Sequence, residues 1–170
     1  MADIGTFAGI GLALYAAHHV GDYWIQTDHQ AAHKGKAGNE GRRACLFHVA
    51  TYVITQAVFL AAVLAVTGAE VNTFAGMAAL LFSGVTHYLA DRREFGIMFR
   101  IARMFPGKEN FLRLGVPRAN VRLVAHDEDG WGGAPELVGD NPSLGTGGWA
   151  LDQSWHIALG VFVPALIACL

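Results

Sequence analysis

The fold of this chain is decided by its last apolar stretch, WALDQSWHIALGVFVPALIACL (residues 149–170). At about 1.5 Å per helical residue, a stretch of this length can cross a hydrocarbon layer about 30 Å thick. It contains Asp152 and His156, which are four residues apart and would lie on one face of a helix, one turn from each other. Because a carboxylate inside a membrane helix is costly without a partner, the pair indicates a buried polar site.

Three more apolar stretches give the chain the composition of a membrane protein. Hydrophobic residues make up 53% of the chain and charged residues only 15%, a balance typical of the membrane class. We predict an all-α fold, a single integral membrane domain (residues 1–170) built as an antiparallel bundle of four transmembrane helices. The predicted spans are residues 4–26, 44–67, 73–91 and 149–170. The net charge of −2 provides no general basic surface, so we expect no nucleic-acid partner.

The two long connections between the spans carry every Lys and Arg of the chain. Under the positive-inside rule, this places both connections in the cytoplasm and both termini outside. In the second long connection, residues 92–105 alternate basic and apolar residues and predict a short amphipathic cytoplasmic helix. Residues 106–148 are predicted to be a long cytoplasmic loop, and whether it forms a lid is left open.

The spacing of Asp152 and His156 recurs, reversed, near the ends of two other spans. In an antiparallel bundle these pairs, together with one histidine near the start of the second span, lie at one depth close to the cytoplasmic surface. Imidazoles and carboxylates are ligands for zinc, iron or manganese, and gathering them in a membrane bundle has a cost that a cation would offset. The predicted metal ligands are His18, Asp22, His48, His87, Asp91, Asp152 and His156.

These seven side chains exceed the needs of one tetrahedral ion, so we predict two divalent metal ions, with zinc preferred and iron or manganese as alternatives. The three aspartates are also the candidate catalytic residues. The competing interpretation is a set of hydrogen-bonded His–Asp pairs that only hold helices together. Arginines near the headgroup level could bind the phosphate of a substrate, although arginines there are also ordinary determinants of topology. These candidates are Arg42, Arg43, Arg92 and Arg93.

Four sequence blocks resemble a bacterial family of small four-span membrane proteins that is classed only as a domain of unknown function. The blocks are HHVGDYWIQ (18–26), FH (47–48), HYLAD (87–91) and LDQSWH (151–156). The resemblance covers nearly the whole chain and implies a shared set of motifs and a multi-pass location in the bacterial inner membrane, but no activity. More distantly, the pattern is similar to membrane-bound metal-dependent hydrolases.

The expected function is that of a membrane-embedded, metal-dependent hydrolase. It would act through metal-bound hydroxide on a phosphoryl or acyl ester of a membrane lipid or lipid-linked substrate. A di-iron membrane oxidase or hydroxylase, and a non-catalytic membrane protein with structural metal, are the alternatives. A homo-oligomer is left open. The histidines of the two connections (His29, His33 and His126) are expected to be solvated loop residues.

Overall fold

The computed structural model describes residues 3–93, 96–112, 121–124, 134–137 and 146–170. The chain divides into two compact units. The first comprises residues 1–101 and 154–170, and the second comprises residues 102–153. Parts of the predicted long loop, including His126, lie outside the described residues.

The first unit is helical. In chain order its helices are α1 (Ile4–Val20), a π-helical segment (Gly21–Ile25), α2 (Asp28–His33), α3 (Gly38–Thr67) and α4 (Thr73–Asp91). Helix α5 (Ile97–Arg103) leads out of this unit, and the chain returns through the end of α7 (Gly147–Ile157), a second π-helical segment (Ala158–Phe162) and α8 (Val163–Ala168). Helix α1 packs on α3 and α8, and α4 packs on the same two helices, so four helices contact one another in a ring.

The second unit contains short elements that the sequence pattern did not predict. Within the predicted loop lie helix α6 (Lys108–Leu112) and an antiparallel pair of strands, β1 (Val121–Val124) and β2 (Ala134–Leu137). The strands have four residues each, too few to give a clear alternation of apolar and polar residues. The predicted amphipathic helix over residues 92–105 corresponds to the shorter α5.

Three helical segments of the described chain are long and apolar enough to cross a membrane. They are Gly38–Thr67, Thr73–Asp91 and Gly147–Ala168. Large apolar side chains such as Leu12, Ile54 and Leu81 are exposed on the helix surfaces, as expected for a protein surrounded by lipid. Helix α1 has only 17 residues, although the first π-helical segment continues it to Ile25. The fourth span and the antiparallel arrangement therefore stay predictions.

The ends of the membrane-length helices are set by local signals. Asp3 begins α1, since its Oδ1 accepts a hydrogen bond from the backbone N–H of Thr6 at 2.8 Å, which lowers the pKa of Asp3. Gly68 ends α3 with a positive φ of 68°, and Asn72 begins α4 by accepting hydrogen bonds from two backbone N–H groups. The connection between α3 and α4 is therefore a tight turn.

The interior of the first unit is apolar toward the start of α1 and polar toward its end. The apolar core consists of Ile10, Leu14, Leu60, Ala79, Val161, Ala165 and Ala168. Small residues let the helices approach closely: a Cβ on Gly84 would lie only 2.9 Å from Cγ2 of Val53. The buried histidines lie beyond this core.

Candidate metal centre

The polar end of the first unit brings together side chains from several helices. Three of its buried histidines lie on α1, α3 and α4, one aspartate ends α4, and a second aspartate lies in the π-helical segment after α1. The residues are His18, Asp22, His48, His87 and Asp91, with His156 from α7 beside them. The structure thus gathers six of the seven predicted ligands into one cluster, and the seventh, Asp152, belongs to the second unit.

The innermost group of the cluster has the spacing of metal ligands. Nε2 of His48 lies 3.0 Å from Nε2 of His87, and Oδ2 of Asp91 lies 3.4 Å and 3.1 Å from these two nitrogens. Ligand atoms about 2.0 Å from a tetrahedral zinc ion are separated from each other by about 3.3 Å. One ion could therefore contact all three atoms with only small adjustments.

Asp22 joins this group to a second one. Its Oδ1 lies 3.4 Å from Nε2 of His48 and 3.5 Å from Nε2 of His87, while its Oδ2 lies 3.4 Å from Nδ1 of His18. His18, Asp22 and His87 form a second set with metal-ligand spacing. Since the two sets share His87, Asp22 can complete the first site or belong to a neighbouring one.

Two carboxylate oxygens in the cluster are buried without a hydrogen bond. Among the described residues, neither Oδ1 of Asp22 nor Oδ2 of Asp91 has a hydrogen-bond partner of acceptable geometry, although imidazole nitrogens lie 3.1–3.5 Å away. A buried acceptor without a partner is costly. A cation between these oxygens and the imidazoles would satisfy them.

His156 lies at the edge of the cluster. Its Nε2 is 4.0 Å from Oδ1 of Asp91, and its ring centroid is 4.2 Å from that of His87. Asp152 lies one turn earlier on α7, in the second unit, and is partly exposed. The role of Asp152 as a metal ligand therefore stays a prediction.

The two π-helical segments begin within three residues of two of these histidines, His18 and His156. A π-helical turn is wider than an α-helical one, breaks the regular hydrogen-bond ladder and often occurs at functional sites. In the segment after His156, the carbonyl of Gly160 accepts hydrogen bonds from Nε2 of Gln56 at 2.9 Å and from Oγ of Ser83 at 2.8 Å. These bonds tie α3 and α4 to the segment and fix the helix that carries His156.

Lys34 is a member of the cluster that the sequence analysis missed. Its Nζ lies 3.0 Å from Oδ1 of Asp91 and 3.4 Å from Nε2 of His48, and its side chain is only 18% exposed. Helix α2 turns the chain back toward the bundle and so brings this lysine to the buried carboxylate. The ammonium is a positive charge already placed at one of the candidate ligands.

Arg92 fixes the turn that carries Lys34. Its side chain is 0% exposed, and its Nη1 donates hydrogen bonds to the carbonyl oxygens of Lys34 at 3.1 Å and Lys36 at 2.7 Å. These bonds give Arg92 a structural role, and its predicted contact with a substrate phosphate stays a prediction. This end of the first unit therefore contains two buried carboxylates, Asp22 and Asp91, and two cationic side chains, Lys34 and Arg92.

The other predicted arginines differ from Arg92 in their surroundings. Arg42 and Arg43 are exposed in the first turns of α3, which begins six residues before the predicted span. Arg93 is partly buried, and its side chain lies against the turn at Gly35, where an added Cβ would be 3.2 Å from Cδ of Arg93. Arg42 and Arg43 are thus the exposed members of the four candidates, and the contact of all four with a substrate stays a prediction.

Gly41 makes the contact between Arg92 and this turn possible, which gives a first prediction. A Cβ at Gly41 would collide with the carbonyl oxygen of Lys36 and lie 2.7 Å from Nη1 of Arg92. We expect Gly41→Ala to lower the free energy of unfolding by about 1–3 kcal/mol, the usual cost of overpacking. Thermal unfolding in detergent measures this. Gly76→Ala is the matched control, because nothing lies within 4 Å of that Cβ and alanine favours helix. Equal melting temperatures would contradict the prediction.

Comparison of the chain with protein-family models, with curated proteins and with solved structures finds no match, so the resemblance to a family of small four-span membrane proteins stays a prediction.

Proposed function

We propose that this protein is a membrane-embedded, metal-dependent hydrolase that acts on a phosphoryl or acyl ester of a lipid-like substrate. The observation that carries the proposal is the trio of ligand atoms on His48, His87 and Asp91, separated by 3.0–3.4 Å. We further propose a bacterial inner-membrane location with the site on the cytoplasmic side, which is supported by the distribution of Lys and Arg.

Three protein ligands with space for a fourth group are typical of catalytic rather than structural zinc sites. A divalent ion held there would acidify a bound water and polarise an ester oxygen. Asp22 is suited to accept the proton of the attacking water, because its buried Oδ1 faces the same two imidazoles as Asp91 does. Lys34 supplies positive charge beside Asp91.

The charges of the cluster favour an anionic substrate. Asp22 and Asp91 are balanced by Lys34 and Arg92, so a divalent ion would leave the site with a net positive charge. The apolar side chains exposed around the helices favour a substrate with a lipid anchor. Since the single lone pair of neutral His87 can bind only one ion, we propose that a second ion beside the first would be held by His18 and Asp22. Bound iron in place of zinc would favour an oxidase or hydroxylase.

A non-catalytic network is the competing function, and one observation favours it. The ion pair between Lys34 and Asp91 at 3.0 Å neutralises a buried carboxylate without any metal. In that case Nε2 of one imidazole would donate a hydrogen bond to Nε2 of the other, as the 3.0 Å separation of His48 and His87 allows.

Elemental analysis of the detergent-purified protein separates these functions. We expect one or two equivalents of tightly held metal, and metal-dependent hydrolysis of a long-chain acyl ester or a lipid phosphate ester, both lost on chelation. His48→Ala should lose the tightly held metal and the hydrolysis. His19→Ala is the control, since His19 adjoins the cluster and stacks on Tyr23 instead. A folded protein without tightly held metal would exclude the hydrolase and leave the hydrogen-bonded network.

A further inference from the structure

We propose that His29, His33 and Glu40 form a second metal site, at the protein surface and independent of the buried cluster. It would bind a borderline divalent ion such as zinc, cobalt or nickel, which favour imidazole and carboxylate ligands. The inference does not depend on the proposed hydrolase.

The geometry of helix α2 brings the two imidazoles together. His29 and His33 are one turn apart, with ring centroids 4.2 Å apart and planes inclined by 18°. Nε2 of His33 lies 3.3 Å from Oε1 of Glu40, in the first turn of α3. One ligand atom from each of the three residues lies within 4.8 Å of the other two. Small rotations of these side chains would bring the atoms to coordination distance.

A hydrogen bond fixes which nitrogen of His33 can bind metal. Nδ1 of His33 lies 2.9 Å from the carbonyl oxygen of His29, which can only accept, so Nδ1 carries the hydrogen. In the neutral ring, Nε2 then presents a lone pair toward the carboxylate of Glu40. Two acceptors 3.3 Å apart repel unless a cation lies between them or a proton is added to Nε2. Metal-binding histidines commonly use this arrangement, in which the second nitrogen donates to a carbonyl.

The helix that carries the two histidines is held at both ends, so little order has to be gained on binding. A capping box joins Thr27 and Gln30 through two hydrogen bonds of 2.9 Å and 3.2 Å. At the other end, Lys34 is held through its carbonyl by Arg92 and through its Nζ by Asp91. Ligands that are already in place bind a metal ion with a smaller entropic cost.

The two sites differ in their access to water. The side chains of His33 and Glu40 are 22% and 65% exposed, whereas the histidines of the buried cluster are inaccessible. Water would complete the coordination at the surface, and the ion there should exchange faster and bind more weakly. Lys34, which contacts the buried cluster, follows His33 directly in the chain.

Calorimetric titration of the chelator-treated, full-length protein with zinc, in detergent, tests the inference. We expect a weaker class of sites in the wild type, weakened at least about tenfold by His33→Ala and by Glu40→Gln. The tighter class should persist in both variants. His19→Ala should change neither class. Because the substituted side chains lie at the surface, the melting temperature of the metal-free variants should match the wild type.

The possible results of this titration test the surface site and the buried site separately. An unchanged weaker class in His33→Ala and Glu40→Gln, or the loss of both classes, would overturn the surface site; in the first case the contact between His33 and Glu40 is an ordinary ion pair of a protonated imidazole. If instead the weaker class depends on His33 while no tighter class exists in any variant, the surface site stands and the hydrolase proposal fails.

Discussion

Asp91→Asn is expected to weaken metal binding at the buried cluster at least about 100-fold and to destabilise the metal-free protein as well. Asp91 is 5% exposed and is approached by Lys34 at 3.0 Å, His87 at 3.1 Å and His48 at 3.4 Å. The amide keeps the shape but removes the charge that a divalent ion requires. It also removes the carboxylate that pairs with the largely buried ammonium of Lys34, and breaking such a pair costs about 3–5 kcal/mol.

Competition with a chelator of known zinc affinity measures the first effect, and thermal unfolding of the metal-free protein measures the second. Asp28→Asn is the matched control, because Asp28 is an exposed first residue of α2. If Asp91→Asn held zinc at the buried site as tightly as this control does, Asp91 would not be a ligand. If neither protein bound zinc at the buried site while Asp91→Asn lost stability, the cluster would be a network of hydrogen bonds and ion pairs alone.

Helical periodicity was sufficient to predict most of the cluster. His18 with Asp22, and His87 with Asp91, are each spaced by one helical turn, and His48 lies at a matching depth on the next span. Because buried charge is costly in a membrane helix, the common depth of these residues predicted that they meet. The structure brings them within 3.5 Å of one another along a chain of contacts. Metal binding itself stays a proposal.

Lys34 was missed because its position depends on a turn that sequence patterns do not specify. Lysines in a connection between spans are normally explained by topology, and the sequence pattern predicts no other role for Lys34. Lys34 reaches Asp91 only because α2 folds back and Arg92 holds the backbone after it. The buried position of Arg92 was missed for the same reason.

The start of α3 and the two π-helical segments show a further limit of the sequence pattern. Residues 38–41 (GNEG) resemble a loop because glycine disfavours helix, yet α3 begins at Gly38. Gly41 is required there by its close approach to Arg92, a tertiary contact that propensity cannot show. The π-helical segments have no signal in composition or periodicity, since they differ from α-helix only in hydrogen bonding.

Lys34→Met is expected to change the stability of the metal-free protein and its metal affinity in opposite directions. In the metal-free protein the ammonium neutralises Asp91 at 3.0 Å, so its removal leaves a buried carboxylate with less compensation and lowers the melting temperature. The same ammonium lies 3.4 Å from Nε2 of His48, a candidate ligand, and therefore repels an ion that binds there. Two unit charges about 5 Å apart interact by about 3 kcal/mol at an effective dielectric constant of about 20.

Zinc affinity at the buried site should therefore rise at least about tenfold in Lys34→Met, while the metal-free protein melts at a lower temperature. Chelator competition and thermal unfolding on the same preparations measure the two effects. Lys36→Met is the matched control, because the side chain of Lys36 is exposed. Lys36 contacts Arg92 through its carbonyl oxygen, which the substitution leaves in place. Unchanged or weaker zinc binding in Lys34→Met would show that the ammonium does not compete with the ion. A divalent ion would then have to bind away from Lys34, with Asp22 rather than Asp91 as its nearer carboxylate.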